Sequence, residues 1–298
     1  METTVHTLPL EEEIPRRTLF RLFLDGLLQN KLSVLGIIII VLALSVAIGA
    51  DILSPYDPNQ QDIVKSRLKP PSREHLFGTD QYGRDVMSRV IHGTRISLAV
   101  GVSSIAIATV LGVFLGGIAG FSGGTVDDII MRIMDIFLAF PGLVLGIGIM
   151  SVLGPSVGNV IAVIAVVSTP QIARVTRSAV LTQKEEEYVQ AARVIGVPAS
   201  KRLFKHVLLN CLPPIIVQST LLVASAILTE TALSFLGIGV RPPTPTWGSI
   251  LFEGKDYILL GMWWMSVFPG IAIMITMLGI NFLGDGLRDA LDPRLSQK

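Results

Sequence analysis

Residues that could carry out chemistry are few and widely spaced in this 298-residue chain. An ATP-binding loop follows the pattern Gly-x-x-x-x-Gly-Lys-Ser/Thr, and Gly254-Lys255-Asp256 lacks the earlier glycine and the hydroxyl. The sequence also contains no His-Glu-x-x-His zinc motif. The four histidines, His6, His75, His92 and His206, are too scattered to indicate a metal site. We therefore predict that the chain is not an enzyme and binds no metal or cofactor itself.

A polar segment of about thirty residues lies between two apolar stretches and has the pattern of two short helices. Thr182 followed by Glu185 predicts a capping box, Gly196 predicts a helix end, and Ser200 predicts a second cap. One face of the first helix is predicted to carry Tyr188, Ala191, Ala192 and Ile195, and the second helix Leu203, Phe204, Val207 and Leu208. Such an amphipathic helix either docks on a soluble partner or lies on lipid, and the pattern alone leaves both open.

The elements that position this segment are apolar stretches of membrane-spanning length. Half of the residues are hydrophobic and 16% are charged, against about 25% charged in soluble proteins. A bilayer core takes about 20 helical residues to cross. Five runs without Asp, Glu, Lys or Arg approach or exceed this length: 32–50, 96–126, 136–173, 206–229 and 257–284. The chain is therefore predicted to be an all-α integral membrane protein.

The run 136–173 is too long for one crossing, because a helix of that length would extend for about 57 Å at about 1.5 Å per residue. Gly154, Pro155 and Ser156 near its middle favour a turn, so we predict six transmembrane helices in total. In the second span, glycines at every fourth position predict a smooth face for close helix packing. These glycines are Gly112, Gly116 and Gly120.

Glu230 stands at the end of the fifth span, where a carboxylate is costly unless it faces water, protein or lipid headgroups. A structural role and a role in a transport pathway both fit this position. The majority of the 24 Lys and Arg residues lie on one side if the N-terminus is cytoplasmic, so we predict that both termini are cytoplasmic. The net charge of +1 gives no reason to expect nucleic acid as a partner.

The predicted organisation has four parts. Residues 1–31 form a cytoplasmic tail, in which Leu19–Leu28 is predicted to be a helix on the membrane surface. Residues 32–95 contain the first span and a long extracytoplasmic connection, 96–284 form a five-helix core with the polar segment at 182–206, and 285–298 form a cytoplasmic tail. The run 32–50 exceeds the 7 to 15 residues of a typical signal-peptide core, which favours a membrane span.

The polar segment contains a stretch with a familiar pattern, Glu187-Tyr-Val-Gln-Ala-Ala-Arg-Val-Ile-Gly196 followed by His206-Val-Leu-Leu-Asn210. It resembles the "EAA" coupling loop of ABC importer permeases, which inserts into a groove on the ATP-binding subunit. The resemblance implies that this subunit contacts Glu187, Gln190, Ala191, Ala192 and Gly196. Gln190 stands where the family usually has Glu, a departure that argues against a required carboxylate there.

Three further blocks resemble the peptide and nickel branch of these permeases. The first block is His75-Leu-Phe-Gly-Thr-Asp80 with Gly83-Arg-Asp85, Ser88-Arg89 and Arg95-Ile-Ser97. The others are Ala232-Leu-Ser-Phe-Leu-Gly-Ile-Gly239 with Pro242-Pro-Thr-Pro245 and Trp247-Gly248, and Gly284-Asp-Gly-Leu-Arg-Asp-Ala-Leu-Asp-Pro293. The resemblance implies structural or interface roles for Gly78, Thr79, Asp80, Gly83, Arg84, Asp85, Ser234, Gly237, Trp247, Asp285 and Asp289.

The resemblance implies the six-helix fold of a type I ABC importer permease in a bacterial or archaeal cytoplasmic membrane. A sister permease would complete the pathway for di- or oligopeptides, and an extracytoplasmic solute-binding protein would select the solute. Two ATP-binding subunits, using ATP and Mg²⁺, would move a lever helix at about 184–195. Glutathione and nickel importers share these blocks, so both substrates stay open.

An ion-coupled secondary transporter is the alternative of a different class. Such a protein needs ionisable residues near the middle of the membrane and often has a repeated half. The span interiors offer few ionisable residues, and no repeat is evident in the sequence. The sequence therefore favours the ATP-driven importer.

Overall fold

The computed structural model describes residues 27–28 and 30–291. Within them the regular structure is helical, apart from an isolated antiparallel bridge between Thr79 and Asp85. In chain order the main helices are α1 (Lys31–Ile48), α2 (Val86–Ser122), α3 (Gly124–Leu138), α4 (Gly142–Leu153), α5 (Val157–Gln183), α6 (Glu187–Val194), α7 (Leu212–Phe235), α8 (Trp247–Gly254) and α9 (Trp264–Leu291). Short helical turns occupy Ala50–Leu53, Ile63–Ser66, Ala199–Lys201, Arg202–Val207 and Ile258–Leu260.

Five of these helices, α1, α2, α5, α7 and α9, are long and apolar enough to cross a membrane. The pair α3 and α4 is bent by 88° and counts as a sixth, broken span if the two are taken together. The predicted turn near Gly154 is confirmed, since Gly154 has φ +78° and α5 begins at Val157. Ser156 caps α5 by accepting a hydrogen bond from the Asn159 backbone N–H at 3.1 Å.

Several helices continue beyond the charge-free runs that were used to predict the spans. α2 begins at Val86 and ends at Ser122, so much of the predicted connection up to residue 95 is already helical. α5 continues to Gln183, α7 ends at Phe235 and α9 runs to Leu291, whereas α7 begins only at Leu212. Several charged residues inside these extensions have ionic partners, as in the Arg177–Asp127 pair.

The third predicted span, from residue 136 to the turn, is also wrong in its extent. α4 covers only Gly142–Leu153, and Pro141 separates it from α3. Proline has no backbone N–H and cannot continue the hydrogen-bond ladder of α3, which explains the break. α3 contains four charged residues, so it forms no charge-free run and was not predicted as part of a span. These residues are Asp127, Asp128, Arg132 and Asp135.

The predicted glycine face of α2 packs against α5. A Cβ on Gly116 would lie 2.2 Å from the Ala173 carbonyl oxygen, and one on Gly112 would lie 2.7 Å from the Ile172 Cβ. Neither position has space for a side chain, so glycine is what allows the two helices to approach this closely. α2 and α5 therefore form a tightly joined pair at the centre of the bundle.

The helices bring two groups of loops to opposite ends of the bundle. We call residues 54–85 together with α8 the clamp, and residues 184–211 the coupling segment. The Lys184 ammonium donates to the Gly120 carbonyl at 3.0 Å, which places the coupling segment beside the end of α2. Since α2 starts directly after the clamp, the clamp lies at the other end.

Two predicted terminal regions need comment. Most of the predicted surface helix Leu19–Leu28 lies outside the described residues. At the other terminus, residues 285–291 were predicted to be a tail but continue α9 to Leu291. Asp289 in this last turn accepts a hydrogen bond from the Asn30 side-chain amide at 3.1 Å, which joins the end of α9 to the start of α1.

Candidate functional site

The helix of the coupling segment, α6, begins later than the sequence predicted. The capping box at Thr182 and Glu185 is wrong, because α5 continues through Thr182, whose hydroxyl donates to the Ser178 carbonyl at 3.3 Å. α6 begins at Glu187 after the N-cap Glu186, which makes no side-chain cap. The predicted lever of 184–195 is therefore shortened to Glu187–Val194.

The inner face of α6 consists of Val189 and Ala192, which are buried against residues of α5, the following π-helical turn and α7. The members of this apolar cluster are Val180, Val189, Leu203, Val207, Leu208, Cys211 and Ile215. Of the predicted face of Tyr188, Ala191, Ala192 and Ile195, only Ala192 is buried, so most of this face is exposed. Residues three apart along the helix, Val189 and Ala192, form the true inner face.

The outer face and end of α6 leave apolar side chains uncovered. The side chains of Val194 and Ile195 are 86% and 79% exposed, and Ala191 and Glu187 are exposed beside them. Gly196 ends the helix with φ +80°, as predicted, and the Val197 N–H donates to the Ala192 carbonyl in the arrangement typical of a glycine C-cap. We call Ala191, Val194, Ile195 and Gly196 the apolar tip.

Hydrogen bonds fix α6 to the spans on both sides. The Gln190 side-chain amide donates to the Lys184 carbonyl at 3.0 Å. The Tyr188 hydroxyl donates to Gln183 Oε1 at 2.8 Å and accepts from Asn210 Nδ2 at 2.8 Å, so it links the end of α5 to the approach to α7. The Tyr188–Asn210 link was not predicted from the sequence, although both residues belong to the coupling-loop motif.

The predicted cap at Ser200 is wrong. The N-cap of the short turn Ala199–Lys201 is Pro198, which makes no side-chain cap. A π-helical turn, Arg202–Val207, follows and leads towards α7. The coupling segment therefore returns to the membrane through an irregular helical turn and not through a capped second helix.

The family-motif residues before α2 build the clamp around buried ion pairs. The Asp80 carboxylate accepts from Arg84 Nε at 2.5 Å, and Glu253 of α8 accepts from Arg84 at 2.7 Å and from Arg89 at 3.0 Å. All four side chains are at most 7% exposed. The clamp thus joins the loop before α2 to α8 through charges that have almost no access to water.

The other predicted clamp residues shape the same loop. Asp85 caps α2 by accepting from the Ser88 N–H at 2.8 Å, and its other oxygen lies 2.9 Å from His75 Nδ1. The Thr79 carbonyl accepts from the Trp264 indole at 3.0 Å. Gly78 and Gly83 have φ of +72° and +74°, so a side chain at either position would strain the backbone.

The predicted residues after α7 surround Glu230, which is fully buried. Its carboxylate accepts hydrogen bonds from the Ser234 hydroxyl at 2.8 Å and the Ser97 hydroxyl of α2 at 3.2 Å. Ser97 also accepts from the backbone N–H of Trp247, whose buried indole donates to the Val90 carbonyl. Of the two roles left open for Glu230, these contacts support a structural one that ties α7 to α2 and α8.

The remaining predicted residues lie apart from these clusters. Gly237 ends α7 with φ +80°. Asp285 is exposed on α9, and Asp289 makes the contact with Asn30 described above. Most of the predicted residues therefore belong to the coupling segment, the clamp or the Glu230 cluster, and the first of these lies at the opposite end from the second.

Comparison with protein families assigns the chain to a known family. Residues 112–297 match the family described as the binding-protein-dependent transport system inner membrane component, and residues 18–71 match the N-terminal transmembrane domain of oligopeptide transport permease C. The chain belongs to this transport permease family. It is a multi-pass membrane permease of the ABC importer class.

Characterised relatives cover almost the whole permease. The di/tripeptide transport system permease DppC of Pseudomonas aeruginosa is 45% identical over 281 residues, which span 92% of this chain and 91% of the relative. The dipeptide permease DppC of Escherichia coli is 45% identical over 275 residues, 90% of this chain and 91% of the relative. The probable D,D-dipeptide permease DdpC of Escherichia coli is 43% identical over 269 residues, 90% of each chain.

A solved structure supports the fold of the permease. It shows inward-facing conformations of the MetNI methionine ABC transporter. The match has a TM-score of 0.55 and 20% sequence identity over 70% of this chain and 98% of the other. The permease therefore has the predicted fold of an ABC importer permease.

The permease also has a cavity of about 660 Å³ near the coupling segment. α5, α7 and α9 line it with a largely apolar wall, which includes Pro213 and Val217. Its polar groups include Gln218, Arg288 and Asn210, of which the last belongs to the Tyr188 link. Movement of the coupling segment would therefore change the shape of this cavity.

Proposed function

We propose that this permease forms, with a sister permease, the translocation pathway of an ATP-driven importer for di- and oligopeptides. The names of relatives more than 40% identical over nine tenths of the chain support the peptide substrate. Glutathione and nickel are the alternative substrates for the same machinery. An extracytoplasmic solute-binding protein selects the solute and delivers it at the clamp end of the bundle.

The apolar tip is the observation that carries the proposal. It presents Ala191, Val194 and Ile195 uncovered at the end of a helix that packs on the bundle only through Val189 and Ala192. Burial of exposed apolar side chains against a partner removes them from water and lowers the free energy of the complex. A groove on an ATP-binding subunit fits the size of a two-turn helix, in the helix-in-groove mode of recognition. Two such subunits hydrolyse ATP with Mg²⁺, and this chain binds neither.

In this mechanism, closure of the ATP-binding subunits pushes α6 along the bundle. The push reaches α5 through Gln190 and Lys184, α2 through the bond from Lys184 to Gly120, and α7 through Tyr188 and Asn210. The spans then tilt between inward-open and outward-open arrangements. The coupling segment and both termini lie in the cytoplasm.

Purification and reconstitution of the complex test this proposal. The tagged permease is expected to copurify with a sister permease and two ATP-binding subunits, and to take up labelled dipeptide into proteoliposomes when ATP and the binding protein are present. Calorimetry of the binding protein with a dipeptide, glutathione and Ni²⁺ separates the three substrates. Absence of a copurifying ATPase would refute the proposal.

A variant pair locates the docking site. Val194→Asp places a charge on the apolar tip and is expected to lower the recovery of the ATP-binding subunits. Leu259→Asp is the matched control, because Leu259 is 92% exposed in the turn before α9, at the clamp end. It is expected to leave their recovery unchanged. Equal recovery of these subunits with both variants would contradict docking at the tip.

A further inference from the structure

α3 is joined to the rest of the permease by bends at both ends. Gly123 and Gly124 connect it to α2 with φ of +66° and +55°, and a Cβ on either would meet nothing within 4 Å. The open space shows that these glycines serve the backbone conformation and not close packing. At its other end α3 meets α4 at 88° across Pro141.

Apolar packing holds α3 only weakly. Asp127 and Met134 are the buried residues of this helix. Its apolar side chains at Ile129, Ile133 and Ile136 are about half exposed. Ile130, Met131, Phe137 and Leu138 are half-buried. Apolar contacts are therefore present but modest, and polar contacts supply a second attachment of α3.

Two ion pairs make this attachment, and both reach α5. Arg177 donates from Nε and Nη2 to the two oxygens of Asp127 at 2.5 and 2.6 Å, and Arg174 donates to Asp135 at 2.6 Å. Paired bonds of this kind fix orientation as well as distance. The Asp127 carboxylate is 10% exposed, whereas Arg174 and Asp135 are about half exposed, so the first pair is the stronger one.

Arg177 lies close to the coupling segment along a stiff route. It stands about 9 Å before the end of α5, and α5 leads directly into the segment that begins at Lys184. A Cβ on Gly120 of α2 would lie 2.9 Å from the Arg177 carbonyl oxygen, so α2 and α5 move together at this level. The charge of Lys184 also acts on Asp127, and that of Asp128 acts on Arg177, which adds to the charge around the pair.

We propose that the Asp127–Arg177 pair, assisted by Asp135–Arg174, transmits the movement of the coupling segment from α5 to the bent pair α3 and α4. The proposal rests on the proposed function and names positioning residues for it. With the pair intact, α3 follows α5 as the ATP-binding subunits close. Without it, α3 turns about Gly123 and Gly124, and ATP is hydrolysed with little transport.

A double-mutant cycle in the reconstituted complex tests this link. Asp127→Asn, Arg177→Gln and the double variant are compared with the wild type for dipeptide uptake per ATP hydrolysed. Each single variant is expected to lower this ratio by about ten-fold, within the usual range of coupling between sites. The double variant is expected to show the same fall as either single variant, because two residues that act as one unit are not additive.

Controls separate transmission from simple stabilisation. Asp51→Asn removes a more exposed ion pair with Arg95, 2.9 Å long at the clamp end, and is expected to leave the ratio unchanged. ATPase activity and recovery of all subunits are expected to stay near wild-type levels in the four variants. Losses that multiply in the double variant, a normal ratio in the single variants, or loss of the partner subunits would each overturn the inference. If the wild-type complex shows no ATP-dependent uptake, the proposed function fails instead.

Discussion

Gln190 makes a contact that an ionised glutamate at this position could not make. Its amide donates to the Lys184 carbonyl, whereas a carboxylate would place negative charge against that oxygen. Gln190→Glu is therefore expected to destabilise the coupling segment by about 1 kcal/mol, the usual value of one hydrogen bond. Thermal unfolding of the purified permease measures the loss, with Gln183→Glu as a comparison at the end of α5. A gain in stability would contradict the assigned contact.

Gly196 ends α6 in a left-handed conformation that β-branched side chains rarely adopt. Gly196→Val is expected to cost about 1 to 2 kcal/mol and to reduce both recovery of the ATP-binding subunits and peptide uptake. Gly196→Asn keeps most of both, because asparagine tolerates this conformation. Since a Cβ here meets nothing within 4 Å, equal losses in both variants would show that a partner fills the space.

Glu253 neutralises two buried arginines of the clamp. Glu253→Gln leaves Arg84 and Arg89 without this charge in a site closed to water, and is expected to lower the free energy of unfolding by about 3 kcal/mol. Glu74→Gln is the control, since Glu74 is 74% exposed and lies 3.8 Å from Lys69, and its expected effect is below about 1 kcal/mol. Similar losses in the two variants would argue against a buried network.

The composition of the clamp was predictable from the sequence only in part. The motif residues Asp80 and Arg84 were identified because they are close together in the chain. Their partner Glu253 lies 169 positions from Arg84, and such a pairing is set by the fold, not by local pattern. A lone carboxylate in the apolar sequence of α8 was the available signal for it.

At the scale of the elements, charge-free runs locate the spans but not the ends of the helices. The runs report contact with lipid, whereas a helix ends where its backbone loses hydrogen bonds. α5 passes Ala173 and continues to Gln183, since Arg174 and Arg177 pair with carboxylates of α3, and α6 therefore begins later than the capping pattern at Thr182 predicted. The bend at Gly154 was predictable, since turn residues act locally.

The α2–α5 contact gives a prediction at this scale. Gly116→Ala places a Cβ 2.2 Å from the Ala173 carbonyl oxygen, so the helices must move apart, at an expected cost of about 1 to 3 kcal/mol. Gly148→Ala in α4 is the matched control, because its Cβ meets nothing within 4 Å and alanine favours the helix. Thermal unfolding in detergent compares the two. A stable Gly116→Ala permease would refute the close approach.

At the scale of the whole molecule, the two ends of the bundle differ in how they are held. Buried ion pairs and indole hydrogen bonds close the clamp end. The coupling end relies on a small apolar cluster and on exposed side chains such as Tyr188. This asymmetry suits a protein that receives force at one end and keeps its helices in register at the other.

Hydrogen exchange tests the asymmetry. Amides of the coupling segment in the isolated permease are expected to exchange at least about ten-fold faster than those of the clamp, because regions with few buried contacts open more often. Addition of the ATP-binding subunits is expected to slow exchange in α6 and leave the clamp unchanged. Faster exchange in the clamp than in α6 would contradict the contrast drawn from the contacts.

The buried position of Cys211 has a practical consequence, because it is the only cysteine in the chain. Burial raises the pKa of its thiol to about 11, so almost none of it is in the reactive thiolate form at neutral pH. Val194→Cys would then give the permease one accessible thiol on the apolar tip. A fluorophore attached there would report, in real time and without competing labels, each binding and release of the ATP-binding subunits.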